Sequence, residues 1–416
     1  MLDYDELIKS LDKQIKANDN KRIVKLKKMV DYITSGFDNL PFCIHIVGTN
    51  GKGSTGCFIS NILQAAGYNV GMFNSPAIFD EREQIVINQY MISKRQFINI
   101  YQKLLPIVQR LFGDNIFTIF EWEFLISLEY FLDKRVDFII LEAGLGGKYD
   151  ATNAIYPPQL SIFTKISLDH LNILGNSIEE ITTNKVGILK SNTTVIVAKQ
   201  DYDNVYRIIS DHSRQLQVKY YLTEQFSFNL SYPNLPNYQL ENIKTSLLAV
   251  KLLKRFGYNI IDRNVSLGIR KFSLFGRMNE INFQGKKLIL DASHNIDGIK
   301  KLIFNLNKDK KYTLVLGFLK DKQVDEMINE LSFIADKFIL FTPDNNLRAM
   351  NSNDLSTKIK HSITYNGQKI INDLSVKDFW LRLFNDELGK NILITGSFYL
   401  LRKMLINGKI NYYCDK

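Results

Sequence analysis

Apolar positions recur at helical spacing along residues 1–40 and then give way to short apolar runs separated by polar turns. The opening segment predicts amphipathic helices, with Lys13 to Lys28 as a basic, exposed stretch. Phe42 to Val47 reads as a strand that runs into a glycine-rich turn, and Phe58 to Ala66 as the helix after it. Tyr68–Phe73 predicts a second strand, ending at Ser75-Pro76 and opening a polar loop. Thr118 to Leu132 has helical periodicity. Val136 to Leu141 is almost continuously apolar, as a strand buried on both faces of a parallel sheet must be. Leu160–Ile166 and Thr193–Ala198 predict further strands around a helix at Ser177–Lys190. A second series starts after Phe275-Gly276-Arg277. It has strands at Lys287–Leu290, Thr313–Leu316, Phe338–Phe341 and Asn391–Thr395, and helices at Ile296–Leu306 and Val324–Ala335. Such alternation predicts doubly wound parallel sheets in two domains, residues 1–276 and 277–416.

The turn Gly48-Thr49-Asn50-Gly51-Lys52-Gly53-Ser54-Thr55 carries the clearest chemistry. Glycines allow consecutive backbone N–H groups to face one anion, and the helix that follows adds its positive end. Lys52 is a point charge for the outer phosphates, and Ser54 or Thr55 has the reach for Mg²⁺. The spacing departs from a standard Walker A loop: Gly48 stands three residues before Gly51, and Gly53 separates Lys52 from Ser54. The competing reading is a tight strand-to-helix turn without a ligand. Packing gives no reason for a lysine among these glycines. The expected fold class is therefore α/β: an N-terminal P-loop ATPase domain on a parallel sheet, plus a smaller C-terminal Rossmann-like α/β domain.

Composition narrows the class. The chain has 416 residues, 45% hydrophobic and 23% charged, as a soluble globular protein has. No apolar run reaches the length of a membrane span, and the acidic N-terminus lacks a signal-peptide core, so no membrane partner is expected. Three cysteines, Cys43, Cys57 and Cys414, have no metal-ligand spacing and fit a reducing, cytoplasmic setting. The net charge of +10 suits either a nucleic acid or a polyanionic small substrate. The lysines are scattered and no nucleic-acid-binding motif appears, so no nucleic-acid partner is expected.

Ligands of open parallel sheets bind beyond the carboxyl ends of the strands, and polar residues gather there. Ser75 follows one strand, Glu142 ends another, and Asp169-His170 follows a third. Each alone is readable as an ordinary loop residue. Together, beside a phosphate loop, they form a shell for Mg²⁺, in which the imidazole is the least expected member. Lys185 lies in a helical pattern beside Gly187, either as a surface residue or as part of the site. Asp291 ends the first strand of the second series, as a ribose-binding carboxylate or as an Asx turn.

The order of these landmarks resembles the Mur ligase superfamily, in its folylpolyglutamate synthase/dihydrofolate synthase branch. The resemblance runs over about residues 40–400. It rests on the Gly48–Ser54 loop, Ser75-Pro76, Phe120-Glu121 and the specific run Leu141–Asn153. It continues through Leu168-Asp169-His170, Lys185–Ile188, Gln239 with Asn242, Gly276-Arg277 and Leu290–Asn295, and ends with Gly317, Asp321-Lys322 and Gly396–Leu400. It implies a monomeric ligase that uses ATP and two Mg²⁺ to join L-glutamate to the carboxylate of a reduced folate through an acyl phosphate. Thr49, Asn50, Gly51, Lys52, Gly53 and Ser54 fall on the phosphate loop, and Ser75, Glu142 and His170 at the first Mg²⁺. Lys185 falls where the family carries a carbamylated lysine that holds a second Mg²⁺. Asn242, Arg277, Asp291 and His294 fall at nucleotide contacts from the far side of a cleft. Thr118, Phe120, Glu121, Tyr149 and Asp150 fall near the pterin pocket. By these matches Lys52, Lys185, His170 and Arg277 are the expected catalytic residues.

The sequence departs from the family pattern at Ala77, Gln84, Gln89, Asn184, Tyr238 and Leu274-Phe275. Ala77 and Gln84 stand where histidine and arginine are frequent, in the loop that shapes the folate pocket. The expected activity is therefore extension of folates that already carry glutamate, with a bifunctional synthase as the alternative. A ligase for UDP-sugar peptides is expected to place a further domain ahead of the loop, where about 40 residues stand here. A non-enzymatic nucleotide-binding protein has no need of Glu142, His170 and Lys185 together.

Overall fold

The structure, a computed structural model, describes residues 3–12, 22–228, 235–283, 285–344 and 347–408. Residues 13–21 of the basic stretch, and Cys414, lie outside the described residues. The chain divides into two compact units, Met1–Leu235 with Gln239–Phe272, and Pro236–Tyr238 with Ser273–Lys416.

In the first unit α1 (Tyr4–Asp12) and α2 (Arg22–Thr34) precede β1 (Phe42–Val47) and α3 (Lys52–Ala65). From β2 (Val70–Phe73) the chain passes a 3-10 turn (Glu81–Gln84) into the hairpin β3 (Ile85–Ile87) and β4 (Tyr90–Met91). Then come α4 (Lys94–Phe112), α5 (Ile119–Asp133), β5 (Phe138–Glu142), β6 (Leu160–Phe163), α6 (Leu171–Leu174) and α7 (Ile178–Val186). They are followed by β7 (Thr194–Val197), α8 (Asp203–Gln215), β8 (Lys219–Leu222), α9 (Asn237–Arg255) and α10 (Asp262–Arg270). The sheet order is β4-β3-β2-β5-β1-β6-β7-β8, parallel from β2 to β8 and antiparallel at β3 and β4.

Side chains on a strand alternate between faces, so each central strand feeds two cores. Cys43, Phe73, Ile139 and Leu141 pack with α1, α2, α4 and α5. Their neighbours Ile44, Ile46, Met72, Phe138 and Ile140 pack with α3, α9 and α10. Burial on both faces is why these strands are apolar without a break. On α5 every residue from Glu121 to Leu132 is buried, and Phe124 and Phe131 contribute about 1.5–3 kcal/mol each in area removed from water.

The second unit holds β9 (Asn279–Phe283), β10 (Lys286–Leu290), α11 (Ile296–Asn305), β11 (Tyr312–Leu316), α12 (Val324–Ser332) and β12 (Ala335–Leu340). It ends with α13 (Ser352–His361), β13 (Lys369–Ile371), α14 (Val376–Phe384), β14 (Asn391–Thr395) and α15 (Phe398–Gly408). The order β13-β12-β11-β14-β10-β9 is parallel except at β9. Gly276, placed in the first domain by the sequence reading, lies in this unit: its carbonyl accepts from the Ala292 N–H just beyond β10 (2.9 Å).

Three elements differ in extent from the sequence reading. The helix after the glycine-rich turn starts at Lys52 rather than Phe58, because the loop itself completes the first turn. The helix expected to reach Lys190 stops at Val186. The Gly187 carbonyl instead accepts from Asn153 Nδ2 (3.0 Å), and Lys190 Nζ turns to the Asn153 carbonyl (2.9 Å). The polar loop after Ser75-Pro76 contains the β3–β4 hairpin, whose short strands periodicity does not resolve.

Candidate active site

Sheet register sets the site. Phe73 is aligned with Leu141, Ile46 with Glu142, and Val47 with Phe163, so β2, β5, β1 and β6 end at nearly one level. Just beyond that level stand Ser75, Glu142, Gly48 and Thr164. Polar backbone and side chains therefore gather at one edge of a buried apolar sheet, the place where α/β sheets take ligands.

The Gly48–Gly51 loop is held from below. Thr49 and Asn50 donate their N–H groups to the Lys165 carbonyl (2.8 and 3.1 Å). Thr49 Oγ1 donates to the Ser167 carbonyl (2.9 Å) and accepts from the Ser167 N–H (3.1 Å). Asn50 Nδ2 donates to Ser167 Oγ (3.3 Å). Gly51 then begins α3 in the left-handed region, φ 91°, and no side chain caps the helix. An uncapped helix start behind a rigid loop is an anion cradle. From α9, Gln239 Nε2 donates to the buried Ser54 Oγ (3.2 Å), and Gln239 Oε1 accepts from Asn242 Nδ2 (2.8 Å).

Two lysines and a carboxylate converge on this loop. Lys52 Nζ lies 3.9 Å from Glu142 Oε1 and 3.3 Å from the Thr49 carbonyl, to which it donates. Lys185 is 3% exposed and donates from Nζ to the Gly48 carbonyl at 2.9 Å. Burial pushes its amine down to about 7, the Lys52 charge adds to the fall, and Asp169 and Asp150 oppose it. His170, left-handed at φ 52°, starts α6 with Nε2 3.9 Å from Asp169 Oδ2.

The second unit has its own polar strand end. Asp291, 2% exposed at the end of β10, accepts from the Met278 N–H (3.0 Å) and the Ser293 N–H (2.9 Å). Burial raises its carboxyl, against hydrogen bonds from Ser293 and the Arg277 charge. The Arg277 guanidinium lies over the Phe398 ring at 5.1 Å and donates from Nη1 to the Gly276 carbonyl (3.1 Å). His294 Nδ1 is 2.9 Å from the Ala292 carbonyl, and Asn295 caps α11.

Residues 46–254 match the Mur ligase middle domain, and residues 276–398 match the Mur ligase glutamate ligase domain. The chain belongs to the Mur ligase family. The dihydrofolate synthase/folylpolyglutamate synthase of Bacillus subtilis is 32% identical to it, over 86% of this chain and 88% of that protein. The folylpolyglutamate synthase of Lacticaseibacillus casei is 27% identical, over 88% and 90%. The solved folylpolyglutamate synthase of Thermotoga maritima matches this Mur ligase with a TM-score of 0.78 at 26% identity, over 98% of both chains.

Of the residues singled out in the sequence, the first unit gathers Thr49, Asn50, Gly51, Lys52, Ser54, Glu142 and Lys185 around one loop, and His170 starts α6 next to Asp169. Gly53 lies in the first turn of α3, and Ser75 beyond the neighbouring β2. Asn242 requires a correction. It was expected on the far side of a cleft from the loop, yet it sits on α9 in the same unit and against Gly51, where a Cβ would collide with its Oδ1. The residues expected at the pterin pocket are largely committed within the protein. Thr118 and Glu121 form the capping box of α5, and Glu121 Oε1 also accepts from Arg22 Nε (2.9 Å). Asp150, its carboxyl raised by burial, accepts from the Leu145 N–H (2.8 Å) and the Thr152 N–H (3.0 Å) and holds the Glu142–Asn153 loop. Phe120 packs on Phe73 (5.3 Å between rings) and on Gly144, where a Cβ would come within 2.7 Å of its ring. Tyr149 is the exposed member, with Lys148 Nζ 5.2 Å from its ring centre.

Sequence reasoning did not single out Ser167 or Lys165, which anchor the loop; as a serine and a lysine in a polar stretch they carry no periodic or spacing signal. The cradle makes its own prediction. Gly51→Ala combines a left-handed backbone with the Asn242 collision. It should cost about 1–3 kcal/mol of stability and distort the loop. Thermal unfolding and nucleotide titration of the variant check both effects.

Proposed function

We propose that this Mur ligase is a folate–glutamate ligase. A reduced folate's terminal carboxylate attacks the γ-phosphorus of ATP and ADP leaves. The amine of L-glutamate then attacks the resulting acyl phosphate, phosphate departs with the C–O bond pair, and an amide remains. The names of the relatives support this reading. The observation that carries it is the convergence of Lys52, Glu142 and the buried Lys185 on the Gly48–Gly51 loop.

The roles follow from chemistry. The N–H groups at the open start of α3 hold the phosphates, and Lys52 neutralises charge that gathers during phosphoryl transfer. Ser75, Glu142 and His170 would hold Mg²⁺. A carboxylate beside a phosphate cradle fits a hard cation, and bound Mg²⁺ supplies polarisation of the phosphoryl oxygens. Lys185 in its amine form repels a cation; as a carbamate it would add oxygen ligands for a second Mg²⁺. Arg277, Asp291 and His294 are assigned to the nucleotide. Arg277→Ala should lower turnover and weaken ATP binding with little change in melting temperature, because its guanidinium rests on a half-buried ring rather than in a core. Steady-state kinetics against ATP, paired with thermal melts, tests this. The sparse cysteines go with a cytoplasmic enzyme, and we assign it as a monomer that binds no nucleic acid; sedimentation checks its size.

Extension of reduced folates is proposed as the main activity, with weak or no ligation of dihydropteroate. In the loop after Ser75-Pro76, the buried Gln84 amide donates to Glu123 (2.7 Å) and Glu81 (3.1 Å) rather than to an acceptor substrate, and Gln89 donates to Asn61 (2.7 Å). The second reading, a bifunctional enzyme, is favoured by the two activities in the name of the B. subtilis relative. Phosphate release with ATP–Mg²⁺ and glutamate, measured with tetrahydrofolate and with dihydropteroate, decides. No release with either overturns the ligase; comparable kcat/KM on both makes the enzyme bifunctional.

A further inference from the structure

A buried acid lies behind the loop that follows β2. Glu123 on α5 is 1% exposed, and its Oε2 accepts from Gln84 Nε2 at 2.7 Å. The same Gln84 amide nitrogen donates to Glu81 Oε2 at 3.1 Å, which brings the Glu81 carboxyl beside Glu123. Two carboxyl groups thus share one amide. Glu123 Oε1 is fully buried and meets no donor. A charged carboxylate with an oxygen left dry and an acid at its side is costly. Burial, and then the Glu81 charge, push the Glu123 carboxyl well above the usual range. Charged and titratable groups near it include Asp80 and Arg82, which pair at 2.7 Å, Tyr4 of α1, bound to Asp80 at 2.9 Å, and Glu83, which accepts from the Ile78, Phe79 and Asp80 N–H groups (2.8, 3.1 and 3.2 Å). If Glu123 carries the proton, its carboxyl loses its charge and gains a hydroxyl donor for the neighbouring Glu81.

We propose that Glu123 is a positioning residue for the acceptor side of the site, a neutral carboxylic acid that donates to Glu81 and accepts from Gln84, so locking the segment between Ser75 and Ile85. The connections run directly to the strand ends. The Gln84 carbonyl accepts from the Asn74 N–H (3.1 Å), one residue before Ser75, and Ile85 is aligned with Phe73. Phe120, one turn before Glu123 on α5, rests on Phe73 and Gly144. The lock therefore ties the end of β2, the start of α5 and the turn Glu81–Gln84 into one unit. Its consequence for folate binding rests on the proposed ligase function; its proton does not.

The test uses the full-length protein with Glu123→Gln and Glu123→Leu. Glutamine copies the neutral acid: its carbonyl accepts from Gln84 and its amide donates to Glu81. Infrared spectra of the wild type at neutral pH should show the C=O band of a protonated carboxylic acid, absent from Glu123→Gln. Glu123→Gln should keep its KM for tetrahydrofolate within about twofold, whereas Glu123→Leu should raise it about fivefold or more with KM for ATP unchanged. Absence of the band overturns the proposal, as does equal impairment of the two variants, an unchanged folate KM in Glu123→Leu, or a rise in both KM values. Should Glu123→Leu fail to fold, the band and the Glu123→Gln kinetics still decide. Should the wild type show no folate-dependent turnover, the function falls while the band continues to test the proton.

Discussion

Lys52→Ala is expected to abolish ligation in a protein that still folds. The Lys52 side chain contributes little to a core: it stands at the first position of α3, reaching toward Glu142 at 3.9 Å and the Thr49 carbonyl. Alanine is a good helix former, so α3 should keep its start. What disappears is a positive charge beside the N–H groups at the start of α3. Transfer of the γ-phosphoryl group concentrates negative charge there, and removal of one preorganised electrostatic partner costs roughly 10²-fold or more in rate. Loss of Lys52 also removes a cation 3.9 Å from Glu142, which should change the metal dependence of whatever turnover remains. Phosphate release at saturating ATP, with circular dichroism and thermal melts as controls, is the measurement. A folded variant with near wild-type turnover would falsify the assignment of the phosphate loop.

The second large effect belongs to Lys185. Its amine is pushed by burial down to about 7 and donates to the Gly48 carbonyl at the base of the loop. A neutral lysine amine can add CO₂, lose a proton to solvent and become a carbamate; a protonated one cannot. Carbamylation, and turnover with it, should therefore rise as pH climbs through about 7 and respond to bicarbonate. Lys185→Met keeps an unbranched side chain, one atom shorter, and removes the amine, so activity should fall by roughly 10²-fold. Stability should move with pH in a defined sense. In CO₂-depleted protein the unfolded lysine holds its proton up to its ordinary value of 10.5, whereas the folded one has released it above about 7. Between those values the unfolded chain binds the extra proton, so wild-type stability should increase with pH across that window. Lys185→Met should lose this component of the slope. Melting curves from pH 7 to 9, mass spectrometry for the added carbamate, and kinetics with and without bicarbonate test the three parts. An unmodified amine in the presence of ATP–Mg²⁺, together with an active Lys185→Met, would sink the assignment.

Much of this site was legible because its signals are local. Strand β1 reads from an apolar run, and the phosphate loop from glycines and a lysine that packing does not require. Glu142 is recognisable because a carboxylate closing a buried strand has no place in the core. The parallel sheets follow from the same source, since burial on both faces demands unbroken apolar runs such as Phe138–Leu141. Helix ends were less legible where glycine was involved. Gly53 does not prevent α3 from starting at Lys52, whereas Gly187 does accompany the end of α7, and the difference lies in what each touches.

Other features depend on partners distant in sequence. Lys185 is indistinguishable from a surface lysine until the fold buries it against Gly48, 137 positions earlier in the chain. Ser167 becomes an anchor only when β6 delivers it beneath Thr49. Asn242 changes sides because α9 packs on α3, a contact that no spacing announces. Asp150 and Glu121, set near a pterin pocket by the family resemblance, also hold a loop and cap a helix, contacts that no spacing announces. Glu123 sits unremarked in a helical run until Gln84 and Glu81 close on it. Sequence alone determined the strand–helix alternation and the residue types gathered at strand ends, because period and local turn chemistry are short-range properties. Tertiary structure alone decided which of those polar groups are dry, paired or displaced in pKa, because burial and electrostatic environment are set by neighbours that only folding brings together.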